Sequence, residues 1–305
     1  MSVKKDFTQP TTERANSRST GIDTWPSSDI LAHIWQDQRD GVNAVEGAIP
    51  QLEQAAKAVA NRLRKADSRL IYVGAGTSGV VAGLDGIELP CTFGWPEDRL
   101  LVYRADDADN ILRIQTAGDD GIAAANNAFL TSKISDKDVV IAVSASGNTS
   151  YTCVFTQQAK AAGALVVSIA NNKEGALLKL AAHSIFLDTG PEVIAGSTRL
   201  KAGTSQKVAL NMLSTLTMTL LGHVYDGMMV NVVPENDKLR VRAARMVATI
   251  AEVNETEALH ALNKGGSNVK AAVLITKGLT PNQAQEALAE TGQDLRKALI
   301  LVADR

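Results

Sequence analysis

Cysteine is nearly absent: Cys91 and Cys153 are too few for a disulfide framework and have no partners at metal-ligand spacing. Aromatic residues make up 4% of the chain, which removes the stacking platforms that single-stranded nucleic acid needs. Neither sign of charge dominates, with 31 Lys and Arg against 33 Asp and Glu, and no basic block marks a nucleic-acid or membrane surface. No apolar run is long enough to cross a membrane, and the opening MSVKKDFTQP lacks an apolar signal core. His33, His183, His223 and His260 have no metal-spaced partners. These absences predict a cytoplasmic protein with reduced thiols, no metal and no cofactor, and with neither a nucleic acid nor a membrane as partner. At 305 residues it can hold one large domain and a smaller one.

What is present is concentrated in Asp138 to Thr152, DVVIAVSASGNTSYT. The β-branched run Val139 to Val143 reads as a buried parallel strand that breaks into Ser144, Ser146, Gly147, Asn148 and Thr149 before a helical pattern. Small residues let the backbone close in, hydroxyls and amides donate, and the next helix offers its positive end, so a phosphate is the natural occupant. A polar turn with a helix cap is the plainer reading. Arg69 to Gly79, RLIYVGAGTSG, repeats the grammar with Thr77 and Ser78, so two loops can converge on one ligand at the carboxyl ends of a parallel sheet. Gly74, Gly76 and Gly79 also satisfy the dinucleotide fingerprint, but the strand Leu100 to Tyr103 ends in Arg104 where a ribose-binding acid is required.

In chain order, the residues up to about 28 predict an extended arm, in which Glu13, Arg14 and Asn16 can cap a neighbouring site. A helix starts at Ser27 with Ile30, Leu31 and Ile34 as its stripe, and a second runs from Val42 to Lys65 with a kink near Pro50. After Gly79 a helix carries Val80, Val81, Leu84 and Ile87 inward and ends near Pro90. Glu88 then stands at a helix C-terminus, whose dipole disfavours a carboxylate and keeps it available as a general acid. Further strands are expected at Ala164 to Ile169 and Ser184 to Leu187. The prediction is an α/β three-layer sandwich with a five-stranded parallel sheet, plus a small C-terminal helical domain. The divisions fall at 1–45 (arm and helix), 46–235 (sugar-phosphate domain) and 236–305 (helical domain).

The segment from Gly190 to Thr204, with Glu192, Ser197, Arg199 and Lys201, has the groups to complete a sugar-phosphate pocket. The following helix, Val208 to Leu221, is apolar nearly all round and predicts a covering second subunit.

These stretches together resemble the N-acetylmuramic acid 6-phosphate etherases of the sugar isomerase superfamily. The likeness lies in TTERANSRSTGID (Thr11 to Asp23), GAGTSG with LDGIELPCTFG (Gly74 to Gly94), SASGNTSY (Ser144 to Tyr151), and GPEVIAGSTRLKAGTSQKVALNMLST (Gly190 to Thr215), and extends into VYDGMMVNVVPENDKLRVRA. The resemblance implies a sugar-isomerase domain, a homodimer with a shared site, and a sugar 6-phosphate substrate held by Ser144, Ser146, Gly147, Asn148 and Thr149, with Thr77 and Ser78 at the sugar. It implies cleavage of a D-lactyl ether, with Glu88 as the acid of an Asp-x-x-Glu segment. The family's second glutamate corresponds to Gly118, so Asp119 or Asp120 takes the base role, or the chemistry has changed, or it is gone. Val80 and Asn148 also replace family arginines. A sugar-phosphate sensor like the glucokinase regulatory proteins, and an aldose-ketose isomerase, are the alternatives.

Overall fold

A computed structural model describes residues 9–105, 120–234 and 236–304, with the side chain of Asp120 outside that description. The expected helical segment from Ile111, the acidic loop Asp106 to Asp109, Gly118 and Asp119 lie outside the described residues. The chain divides into two compact units, 1–86 with 98–214, and 87–97 with 215–305.

The elements are α1 (Ser27–Asn43), α2 (Ile49–Leu63), β1 (Leu70–Gly74), α3 (Gly76–Phe93), β2 (Leu100–Arg104), α4 (Asp120–Ser132), β3 (Val139–Ser144), α5 (Ser150–Ala161), β4 (Leu165–Ala170), α6 (Ala176–Leu180) and β5 (His183–Phe186). They continue with α7 (Lys201–Leu220), α8 (Asp237–Ala251), α9 (Glu255–Lys264), α10 (Val269–Thr276), α11 (Pro281–Glu290) and α12 (Leu295–Ala303).

In the first unit the strands form one parallel sheet in the order β2-β1-β3-β4-β5. Every residue of β1 and β3 is buried, as a sheet covered on both faces demands of its central strands. Alternation divides the faces. Ile71, Val73, Val140, Ala142 and Val166 join Tyr151, Phe155 and Ala159 of α5 in one core, whereas Tyr72 and Val102 meet Gly86 of α3 on the other side. The three-layer sandwich is therefore present. In the second unit, α8 to α12 close around Val247, Leu262, Leu274 and Leu288, and the core also takes in Val230 and Val232.

Several local expectations change. The helix expected to kink at Pro50 is two helices, because Pro50 sits in the first turn of α2, where its missing N–H would have had no partner. Leu31 is exposed; the buried residues of α1 are Asp37 and Gly41, which face Lys201. Pro90 lies inside α3, which runs on to Phe93, since Leu89, Phe93 and Trp95 are all buried and hold the chain there. Val80 and Val81 are half-buried, and Leu84 and Ile87 are exposed. The inward stripe of α3 consists of Ala82, Asp85, Gly86 and Leu89. The helix α7 is covered by its own chain along most of its length, with Met212 its one large hydrophobic side chain on the exposed side at 37%. The three short 3-10 turns at Thr11–Glu13, Ser17–Ser19 and Ile22–Thr24 replace the extended arm.

Candidate sugar-phosphate site

The order 2-1-3-4-5 places its switch point between β1 and β3, and the two hydroxyl-rich loops leave those neighbouring strands at their carboxyl ends, where Gly74 pairs with Val143. The β1 loop is a close turn: a Cβ on Gly79 would lie 2.8 Å from the Gly74 carbonyl oxygen, so neither glycine accepts a side chain without movement. This sets Thr77 and Ser78 in the first turn of α3, Ser78 buried and Thr77 half-buried against Gly203.

The β3 loop is held from within. Ser144 Oγ bonds Thr149 Oγ1 at 2.9 Å and accepts from Gly147 N at 3.1 Å, and Ser146 Oγ accepts from Asn148 N at 3.2 Å. Gly147 needs its glycine, since φ is +69° and a Cβ would lie 2.8 Å from Gly175 Cα. The Asn148 amide accepts from Ala176 N at 3.0 Å and donates to the Ser146 carbonyl, so it braces the loop. Because Thr149 bonds Ser144 rather than capping α5, its side chain leaves the first-turn amides of α5 to an anion.

Glu192 and Lys201, expected at the substrate, face the protein interior. The Glu192 carboxylate accepts from the backbone of Lys201 at 3.1 Å and Ala202 at 3.0 Å, which caps α7; burial raises its pKa and these bonds oppose the rise. Lys201 Nζ donates to Asp37 Oδ1 at 2.7 Å with both side chains buried. Ser197 is half-buried in the loop between them, and Gly196 N in that loop donates to the Thr12 carbonyl at 3.1 Å. The N-terminal turns thus lie on the Gly190–Thr204 segment. Glu88 is exposed on α3, and continuation of the helix past Pro90 takes it out of the last turn, so the dipole argument for its acidity no longer holds. Asp119 lies outside the described residues; Asp120 opens α4.

Sequence reasoning missed a buried polar cluster at the end of β4. Asn171 Nδ2 donates to Ser205 Oγ at 2.9 Å and its Oδ1 accepts from Gln206 at 2.8 Å, while Asn172 donates to the Ser146 carbonyl at 3.2 Å. The signal was there: two asparagines directly after an apolar strand repeat the strand-then-polar pattern of the two loops. The role of Asp85, the first residue of the Asp-x-x-Glu segment, was also missed: its buried carboxylate accepts from Tyr72 Oη at 2.8 Å, Asn211 Nδ2 at 2.7 Å and Ser214 Oγ at 3.0 Å. Burial raises its pKa and the three donors oppose the rise. Among the described residues no His, Cys, Asp and Glu group could hold a metal, and no helix is long and apolar enough to cross a membrane.

A parallel sheet with hydroxyl-lined loops at its switch point, and a match to the SIS domain over residues 106–216, define the class: this is a SIS-domain protein. The chain is 40% identical over 289 residues to the N-acetylmuramic acid 6-phosphate etherase of Deinococcus radiodurans, covering 94% of each chain. It is 36% identical to that of Pasteurella multocida, covering 95% of this chain and 97% of the relative, and 37% identical to that of Mesorhizobium japonicum, covering 94% of each. The chain belongs to the N-acetylmuramic acid 6-phosphate etherase family.

Proposed function

We propose that the protein is a carbon-oxygen lyase that cleaves the D-lactyl ether of N-acetylmuramic acid 6-phosphate by elimination and hydration, serving the recycling of cell-wall amino sugars in the cytoplasm. The observation that carries this reading is the placement of both hydroxyl loops on adjacent strands of the switch point, in a chain of this family. The phosphate occupies the Ser144–Thr149 loop and the α5 amides; Thr77 and Ser78 meet the sugar. In the open-chain sugar a base takes the C2 proton, and the C–H electron pair moves onto the C1 oxygen. That pair returns to form the C2–C3 double bond as the C3–O bond breaks, and lactate leaves with a proton from Glu88. Water then adds at C3 and the proton returns to C2. The base is Asp119 or Asp120, beside Gly118. The active form is a homodimer, with exposed Leu31 and Trp35 on α1 available to a second copy.

Incubation with N-acetylmuramic acid 6-phosphate is expected to release D-lactate and N-acetylglucosamine 6-phosphate in equal amounts. Asn at position 119 or 120 lowers turnover by about a hundredfold or more at whichever aspartate is the base. Binding of the substrate with neither lactate release nor solvent deuterium entering at C2 would overturn the lyase in favour of a sensor.

A further inference from the structure

We propose that the Ser144–Thr149 loop is a cradle of donors that selects the fully ionised form of a phosphate ester, and that Asn172 is the positioning residue that keeps it so. This rests on the etherase reading only in taking that loop as the phosphate site. Four consecutive carbonyls of the loop are already committed. The Ser144 carbonyl accepts from Gly147 N at 3.2 Å, that of Ala145 from Asn171 N at 3.0 Å, and that of Gly147 from Leu177 N at 2.9 Å. The Ser146 carbonyl accepts from Asn172 Nδ2 at 3.2 Å and from Asn148 Nδ2 at 3.3 Å. Those of Ala145, Ser146 and Gly147 are thus all tied to residues 171–177, the segment that leads from β4 into α6. There a Cβ on Gly175 would lie 2.8 Å from Gly147 Cα, so the two backbones touch. Buried Asn172 fixes this segment as well, since its own carbonyl accepts from Gly175 N at 3.0 Å.

What the loop has left to offer is hydrogen. Ser144 and Thr149 carry two hydroxyl hydrogens between them, and their 2.9 Å bond uses one, so one remains for a ligand whichever way that bond runs. Ser146 Oγ accepts from Asn148 N, which leaves its hydrogen to donate as well. With the first-turn amides of α5, these groups suit oxygens that bear no hydrogen. A phosphate monoester loses its second proton near about pH 6, and below that its monoanion keeps a P–OH that needs an acceptor. The four carbonyls no longer supply one, and Ser144 and Ser146 each accept an N–H already. A donor taken out of water without a partner is costly, so the monoanion is the form the loop rejects. Asn172 enforces this by holding the Ser146 carbonyl to the side of the β4–α6 segment.

Calorimetry on the whole protein with N-acetylglucosamine 6-phosphate and N-acetylglucosamine 6-sulfate tests this. The sulfate ester has no proton to lose near neutral pH, so its profile reads the protein's own titration. The phosphate affinity divided by the sulfate affinity should fall about tenfold from about pH 7 to about pH 5, as the dianion gives way to the monoanion. A ratio constant over that range overturns the proposal, and so does failure of both esters to bind at millimolar concentration. In Asn172→Ala the Ser146 carbonyl keeps only the longer bond from Asn148 and can accept the P–OH. That variant should bind the phosphate ester about tenfold more weakly at neutral pH, and its ratio should fall only about threefold or less over the same range. A merely structural role would lower the unfolding temperature and leave the ratio's pH profile intact, and that result overturns the role given to Asn172. Lactate release from N-acetylmuramic acid 6-phosphate is followed separately. A protein that releases none yet shows the tenfold fall loses the etherase reading and keeps the cradle, whereas lactate release with a flat ratio does the reverse.

Discussion

Lys201 and Asp37 show how far a side chain's role depends on what surrounds it. Removing one member of a buried ion pair strands the other, and Asp37 Oδ2 already lacks a hydrogen-bond partner. Asp37→Ala should therefore cost about 3–5 kcal/mol, whereas Asp37→Leu with Lys201→Met should recover most of that loss; urea unfolding of the single and double variants measures both. Among the described residues Lys270 is the other buried lysine, donating to the carbonyls of Gln293 at 3.0 Å and Gly222 at 3.4 Å, and burial lowers its pKa to about 8. Between about pH 8 and the ordinary lysine value the unfolded chain binds a proton at this site that the folded chain does not. The folded state carries the full penalty below pH 8, and stability contributed by this group rises with pH through that window. The wild type should gain stability between pH 8 and pH 10 relative to Lys270→Met, with unfolding midpoints at the two pH values as the measure.

At the scale of the element, α3 departs most from local rules. Pro90 forgoes the bond its N–H would give to the Gly86 carbonyl, yet the helix continues for three residues to Phe93. Burial of Leu89 and Phe93 outweighs the missing bond. Pro90→Ala should restore it and raise stability by up to about 3 kcal/mol, read as a higher denaturation midpoint; an unchanged or lower midpoint would show that the turn is built around the proline. The helix α7 departs in the opposite way. Its apolar surface reads as an interface in sequence, but Leu210, Leu213 and Met218 are all buried within the chain.

For the whole molecule, the predicted homodimer therefore rests on other surfaces. Leu31 and Trp35, four residues apart on α1, are 67% and 65% exposed. Light scattering at micromolar concentration should give twice the 32.2 kDa chain mass; a stable monomer would refute the dimer. The fold itself was largely legible. Parallel strands buried on both faces read as uninterrupted apolar runs, and the loops after β1 and β3 announce themselves by an abrupt change to Gly, Ser and Thr.

Sequence alone determined which loops are hydroxyl-rich and that they follow strands, because a side-chain alphabet and a two-residue period are local properties. It equally carried the family likeness that the relatives bear out. Only tertiary structure decided that Glu192 caps α7, that Lys201 turns inward to Asp37, and that Asp85 joins Tyr72, Asn211 and Ser214. Those partners lie far apart along the chain, Lys201 from Asp37 by 164 positions, and a charged residue reads the same in sequence whether it meets water, a ligand or a distant carboxylate. Burial makes the difference, since an ionic group taken out of water must find its partner inside the fold.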